Sequence, residues 1–451
     1  MSRSTFDQLC AGELAGTRHL KLACGLTHFP PEILGLADTL EVLDLSGNAL
    51  SSLPDELAQF QRLRIIFCSD NQFTELPEVL GRCPALTMVG FKANRIRTVS
   101  AQSLPANLRW LILTDNEIEE LPTEMGNRPD LQKVMLAGNR LKALPESMAQ
   151  CQRMELLRIA ANQLTELPAW LLSLPRLSWL AYSGNPFVAS LEARLQSADE
   201  IDEISWSDLD VQHLLGQGAS GYIHHAQWHR LGDDDMAVAV KLFKGAVTSD
   251  GLPQCEMAAA IQAGRHAYLT EVLGRVAGHP DGAIGLVMGL IDAQFKNLAG
   301  PPSFESCTRD VYAPDTRFEL PELLSIAHGI ASAAQHLHQR GIMHGDLYGH
   351  NILHAEGGQA LIGDFGAASF YVPDDGAVAL GLQRLEVRAF GCLLEELLAH
   401  CDAAESVDSK AVQVLDLLNR LARDCLSAQT ELRPLFFEIT KRLVHCIDWL
   451  A

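Results

Sequence analysis

No hydrophobic run in the 451-residue chain is long enough to cross a membrane; the longest apolar stretch, Ala283 to Ile291, is broken by glycine. Nor does an apolar core follow Met1-Ser2-Arg3-Ser4, because Asp7 and Glu13 interrupt it. A secretory signal, a lipid anchor and a membrane-spanning receptor are therefore not expected. Basic residues are scarce, with 35 Lys+Arg against 56 Asp+Glu and a net charge of −21. Up to Glu200 the balance is 18 against 23, and beyond it 17 against 33, so the second part is the more acidic. Such a surface repels phosphate backbones, which argues against nucleic acid as a partner. Paired cysteines are lacking too: the 11 are scattered from Cys10 to Cys446. Metal sites and disulfide frameworks both require clustering, so reduced thiols in a cytoplasmic protein are expected. The 16 histidines show no ligand spacing, and His224-His225 and His336/His338 read as surface or helix residues. The length exceeds what one core can organise, which implies at least two domains.

What the first part does have is a period. Asparagine recurs at 48, 71, 94, 116, 139, 162 and 185, each inside the pattern L-x-x-L-x-L-x-x-N-x-L. One copy reads Leu40, Leu43, Leu45, Asn48, Leu50, Leu53, Pro54, and a degenerate turn precedes it around Leu20, Leu22, Leu26 and Phe29. The pattern resembles the leucine-rich repeat, which implies a solenoid of parallel strands. Its leucines stack on those of adjacent coils because no coil buries its own apolar face. Its asparagines satisfy backbone groups at each bend. Residues 1–16 (Phe6, Leu9, Cys10, Leu14) form a candidate cap, and the stretch after Asn185-Pro186-Phe187 a second. The outward strand positions are unexpectedly apolar: Val42, Ile65, Phe67, Met88, Trp110, Ile112, Met135, Leu156 and Trp179. A contiguous apolar stripe marks a contact surface, with Trp and Met as anchors. It is expected to bind a protein partner; the alternative is that it packs on the chain's own second half.

The second part carries phosphate chemistry. Gly216-Gln217-Gly218-Ala219-Ser220-Gly221 follows a candidate strand, and glycines there would let backbone N–H groups approach phosphate oxygens. Val238-Ala239-Val240-Lys241-Leu242 is an apolar strand interrupted by one lysine, which at a buried position needs an anion. Further on come His344-Gly345-Asp346-Leu347-Tyr348-Gly349-His350-Asn351 and then Gly363-Asp364-Phe365-Gly366. Two aspartates and an asparagine at this spacing are oxygen donors suited to Mg²⁺ beside a triphosphate. Asp233-Asp234-Asp235 reads as a hairpin turn.

Taken in order, these motifs resemble the eukaryotic-type protein kinase domain. The resemblance implies ATP and Mg as cofactors and a role for each matching residue. The glycine loop, with Gly216, Gly218, Ser220 and Gly221, would cover the ATP phosphates, and Lys241 would meet the α- and β-phosphates. Glu256, on a helix ending at Gly264, would pair with Lys241, with Glu271 as the alternative. Asp346 would be the catalytic base, with Asn351 and Asp364 as metal ligands. Leu215, Ile223, Ala239 and Leu353 would sandwich the adenine, with Met288 as gatekeeper and Gly289 to Ile291 as hinge. Arg433 would be structural.

Three departures from that pattern matter. Gly345 replaces the arginine that pairs with a phosphorylated activation loop, so loop phosphorylation is not the expected switch. Only residues 367–385 separate Asp-Phe-Gly from the helical segment at Glu386, which reduces the platform for a peptide. Tyr348 and His350 occupy the positions where a cation usually faces the γ-phosphate. The short segment and His-Gly-Asp also resemble aminoglycoside- and choline-type kinases, and a catalytically dead scaffold is a third class.

The whole chain resembles bacterial leucine-rich-repeat kinases. The fold class expected is a multidomain chain, an α/β leucine-rich-repeat solenoid followed by an α+β bilobal kinase fold. The solenoid is expected over 1–197, an acidic linker over 198–205, and the kinase over 206–451, with its lobes meeting near 291. The expected activity is phosphorylation of Ser or Thr on a protein recruited by the repeats.

Overall fold

The computed structural model describes residues 4–197, 201–218, 220–232, 234–245, 247–248, 250–374, 376–402 and 409–450. Residues 198–200 of the expected linker, Ala219 of the glycine loop and Asp233 of the expected turn lie outside the described residues. The chain divides into two compact units, Met1–Leu174 with Asn185–Phe187, and Pro175–Gly184 with Val188–Ala451.

In the first unit, a short helix α1 (Thr5–Cys10) is closed by a capping box between Ser4 and Asp7. Seven three-residue strands follow: β1 (His19–Lys21), β2 (Val42–Asp44), β3 (Ile65–Phe67), β4 (Met88–Gly90), β5 (Trp110–Ile112), β6 (Lys133–Met135) and β7 (Leu156–Arg158). They pair in sequence order, all parallel. A 3₁₀ turn returns the chain after each strand, and Pro30, Pro54, Pro77, Pro122, Pro145 and Pro168 immediately precede such turns. Proline suits that place because its fixed φ starts the turn and its missing N–H is not needed there. The middle strand residues Leu43, Ile66, Val89, Leu111, Val134 and Leu157 point inward and are fully buried.

The asparagine ladder does what its spacing implies. Asn116 Oδ1 accepts from Ile96 N–H at 3.0 Å, and Nδ2 donates to the carbonyls of Phe91 (2.9 Å) and Leu113 (3.0 Å). One amide thereby ties its own coil to the preceding one. The coils are also too close for a side chain at Gly81, where a Cβ would stand 1.9 Å from the Gln102 carbonyl oxygen.

The outward positions need correction. Strand register forms two rows, Val42-Ile65-Met88-Trp110-Lys133-Leu156 and Asp44-Phe67-Gly90-Ile112-Met135-Arg158. Asp44, Lys133 and Arg158 put charge where the apolar reading had none. Ile65, Met88 and Leu156 are buried, and Phe67, Trp110, Ile112 and Met135 are half-buried. The surface these rows leave accessible is therefore smaller and less uniformly apolar than the pattern implies. Parallel strands about 4.8 Å apart bring the side chains of one row into mutual cover: Lys133 Nζ lies 4.1 Å from the Trp110 ring, and the Phe67 ring covers Gly90.

The second unit begins with β8 (Trp179–Ala181), and α2 (Pro186–Ser197) joins it from Val188 onward. Its larger sheet has the order β10-β11-β12-β14-β13-β9, made of β9 (Glu203–Ser205), β10 (Leu209–Gln217), β11 (Gly221–Trp228), β12 (Met236–Phe243), β13 (Val272–Ala277) and β14 (Gly285–Gly289). All neighbours are antiparallel except β9 with β13. Ile204, Leu209, Ala226, Val238, Val240 and Val287 form its core. Helix α3 (Pro253–Ala263) crosses between β12 and β13.

A helical part follows, built from α4 (Leu320–Gln339), α5 (Gly376–Ala399), α6 (Ser409–Cys425) and α7 (Phe436–Leu450). On α4, Leu323, Ala327, Ile330, Ala334 and Leu337 repeat at helical spacing and are fully buried. Two small sheets carry the loops between α4 and α5. One joins β15 (Lys296–Asn297), β17 (Ile352–Ala355) and β18 (Gln359–Ile362); the other pairs β16 (Ile342–Met343) with β19 (Ser369–Phe370). Buried Arg433 donates to the carbonyls of Ser427, Arg384 and Pro175, in keeping with a structural arginine. Among the described residues, no helix is long and apolar enough to cross a membrane.

Replacing Asn116 with alanine strands the Ile96 N–H and two carbonyls in the solenoid interior. A loss of roughly 2–4 kcal/mol is expected, from one to three kcal/mol per stranded buried group with partial relaxation. Denaturant unfolding of the full chain checks it.

Candidate active site

The glycine loop joins β10 to β11, and Gly218 N–H donates to Gly221 C=O at 3.0 Å to close the turn. A Cβ at Gly221 would lie 2.4 Å from the Leu242 carbonyl oxygen, whereas Gly216 and Gly218 have nothing within 4 Å. The loop backbone is thus tight on the sheet side and open on the other.

Lys241 stands in β12 opposite Ile223 on one side and Leu286 on the other. Its ammonium pairs with the Glu256 carboxylate, and the two side chains are 12% and 4% exposed. Helix α3 delivers Glu256 because Pro253 opens it and Gly264, at φ 65°, ends it. Glu271 instead bonds Arg265, so the partner of Lys241 is Glu256. Burial pushes the Glu256 carboxyl above its ordinary range; Lys241 opposes that, and Asp364 adds to it. Its second oxygen, Oε2, is buried with no hydrogen-bond partner.

Facing this pair is the loop between β16 and β17. Asn351 Nδ2 donates to Asp346 Oδ2 at 2.7 Å and to its carbonyl at 3.0 Å. Asp364, in left-handed backbone at φ 54°, accepts Gly366 N–H on Oδ1 at 3.2 Å. A cavity of about 300 Å³ gathers Gly218, Ser220, Gly221, Ile223, Lys241, Met288, Asn351, Leu353 and Asp364 on one wall or another. Thr270, Ile291, Asn297, His350 and Gly363 also line it. Of the expected residues, Leu215, Gly216, Ala239, Glu256 and Asp346 are not in the lining, and Leu215 is 46% exposed.

Two side chains give this loop its shape. Glu386 on α5 is buried; its Oε1 accepts Gly345 N–H at 2.7 Å, and its Oε2 accepts His344 N–H at 3.2 Å and bonds His338 Nε2 at 2.7 Å. Burial would raise its carboxyl, but the His338 hydrogen bond and the charges and N–H groups around it hold it below the ordinary 4.5. Asp310, which carries no recognisable motif, accepts His350 N–H at 3.0 Å and bonds His350 Nδ1 at 2.7 Å. Burial pulls the imidazole pKa of His350 down, but Asp310, with Asp346 and Asp364 further off, outweighs it and sets it above the ordinary value. Sequence reasoning left His350 a weak anion partner and had no signal for Asp310, which sits in a loop between β15 and α4.

Trp179, expected on an open binding face, is buried in this unit. Its ring stacks on Tyr348 with centroids 4.2 Å apart and planes at 7°, and its Nε1 donates to Leu347 C=O at 3.1 Å.

Residues 209–390 match the family described as protein tyrosine and serine/threonine kinase, and residues 39–60 match the leucine-rich repeat. The chain thus carries a protein-kinase domain preceded by leucine-rich repeats. Its relatives include the serine/threonine-protein kinase A-Raf of Mus musculus, 28% identical over 279 residues, covering 52% of this chain and 43% of the relative. Fibroblast growth factor receptor 1 of Xenopus laevis is 26% identical over 201 residues, covering 42% of this chain and 24% of the relative. The chain spans less than half the length of these curated relatives. A solved leucine-rich-repeat protein of Leptospira interrogans aligns at 28% identity and TM-score 0.38, covering 42% of this chain and 48% of that one.

Glu386 makes the kinase domain sensitive to acid in a defined direction. Its folded pKa lies below 4.5, so its stabilisation is complete above that value and is lost as pH falls through the folded one. Glu386→Gln should lower stability by roughly 1–3 kcal/mol at neutral pH. The gap to wild type should narrow below pH 4.5, as followed by denaturant melts across pH.

Proposed function

We propose that the kinase domain transfers the γ-phosphoryl group of ATP, with Mg²⁺, to a serine or threonine hydroxyl of a protein brought to it by the repeat array. The observation that carries this reading is the convergence on one cavity of Gly218 and Gly221 of the glycine loop, Lys241, Asn351 and Asp364, with Glu256 paired to Lys241 and Asp346 bonded by Asn351. The donor set fits both ligands. Open backbone at Gly216 and Gly218 suits phosphate oxygens, and a carboxylate with a side-chain amide suits a hard cation that takes its remaining oxygens from phosphates and water.

In this reading Lys241 binds the α- and β-phosphates, and Glu256 holds its ammonium in place. Asp346 accepts the proton of the attacking hydroxyl, with its Oδ2 oriented by Asn351 Nδ2. Asn351 and Asp364 would hold Mg²⁺, which when bound neutralises charge on the phosphate oxygens. Ile223, Met288 and Leu353 would enclose the adenine. Catalysis is then positioning and charge stabilisation. Similarity to the serine/threonine-protein kinase A-Raf supports serine or threonine as acceptor. Phe67, Trp110, Ile112 and Met135 retain part of their surface and are the residues through which the repeats would hold a protein. The scattered thiols support a cytoplasmic setting.

The test is transfer from labelled ATP with Mg²⁺ to a basic protein, to aminoglycosides and to choline. Protein labelling should fall at least about a hundredfold in Lys241→Met and Asp346→Asn, and labelling of a captured acceptor should fall in Trp110→Ser. Labelling of a small molecule alone would favour small-molecule phosphotransfer, and labelling of nothing a scaffold.

A further inference from the structure

The loop that bears Asp346 is pinned at four backbone groups by three side chains, and one of these side chains comes from the repeat pattern. Glu386 takes the N–H groups of His344 and Gly345, and Asp310 takes that of His350. Between them, Trp179 Nε1 donates to Leu347 C=O, the residue directly after Asp346. Its ring stacks on Tyr348, which leans on His350 at 4.9 Å, and His350 is held by Asp310. A continuous chain of contacts thus runs from Trp179 across the loop to Asp310.

The segment around Trp179 is seated throughout. Tyr182 N–H donates to Ser369 Oγ at 3.0 Å, and Tyr182 Oη donates to Phe370 C=O at 3.1 Å. Arg388 bonds Ser178 Oγ at 2.6 Å, and Arg433 bonds Pro175 C=O at 2.7 Å. Gly345, at φ 74°, stands where the segment and the loop meet: a Cβ there would lie 2.5 Å from Ala367 C=O and 2.7 Å from Leu180 C=O. The site has no room for an arginine at this position. The contacts that fill it are made by side chains and backbone of the chain itself.

We propose that Pro175–Gly184 is a built-in positioning element of the kinase site, in which Trp179 fixes the loop bearing Asp346 through Leu347 C=O and the Tyr348 ring, without loop phosphorylation. The inference rests on the kinase reading above. Backbone held on both sides of Asp346 leaves its carboxylate little freedom, and displacement of a catalytic group by about 1 Å can cost as much as a hundredfold in rate.

The test uses the full chain with Trp179→Ala, Trp179→Phe and Tyr348→Leu, and reads kcat, KM for ATP and amide hydrogen exchange over residues 343–351. Trp179→Ala should lower kcat at least about tenfold, leave KM for ATP within about twofold, and hasten exchange in that loop. Trp179→Phe keeps a ring on Tyr348 and should recover part of both losses. If Trp179→Ala does not fold, Tyr348→Leu, which removes the stack from the other side, carries the same expectation. Unchanged exchange in a folded variant overturns the proposal, and so does hastened exchange with unchanged kcat. If the wild type transfers phosphate to no acceptor, the kinase reading fails, and exchange alone still decides whether Trp179 holds the loop.

Discussion

A buried carboxylate on a helix, Glu386, is the constraint on which the catalytic half depends. It takes two consecutive backbone N–H groups, of His344 and Gly345, together with the His338 imidazole. An unpaired buried carboxylate would be costly, and these partners offset that cost only if the loop adopts this one path. The left-handed turn at Gly345 follows, and with it the placing of Asp346 beside Asn351. The short route from Phe370 to α5 follows as well, because Glu386 must reach the loop from the helix that begins at Gly376.

The opposite wall of the cavity obeys the same electrostatics. Lys241 and Glu256 are each nearly buried and are tolerable only together. The orphaned Glu256 Oε2 and the raised carboxyl pKa show that the pairing is incomplete. Negative charge on that wall and at Asp346 and Asp364 is what a site built around a cation and a polyphosphate would carry, with Lys241 and the open glycine backbone set against the phosphates.

Much of this was legible in the sequence because the parts are dictated locally. An asparagine every 22 or 23 residues can serve only a repeating bend, and the amide contacts of Asn116 bear that out. The glycine loop, the strand lysine and the Asp346, Asn351 and Asp364 spacing lie on short continuous segments, and the structure gathers them. Glu256 was readable because its segment of good helix formers runs to a glycine stop at Gly264. What stayed hidden depends on partners distant in the chain. Trp179 and Trp110 occupy equivalent places in the repeat pattern, yet Trp110 is half-buried beside Lys133 while Trp179 lies against Tyr348. Nothing in their neighbours distinguishes them. Asp310 sits 40 residues before His350 in a loop of no regular pattern. Lys133 and Arg158 fall in the outward rows only once the strand register is known.

In the proposed function, the cavity beneath the glycine loop binds ATP together with Mg²⁺ through Lys241, Asn351 and Asp364. Calorimetric titration of ATP into the full chain, with and without Mg²⁺, for wild type and Asp364→Asn, tests it most directly. One site per chain is expected, with an affinity that needs Mg²⁺ in the wild type and no longer responds to it in the variant. Absence of binding by the wild type, or a variant that keeps the full response to Mg²⁺, would contradict it.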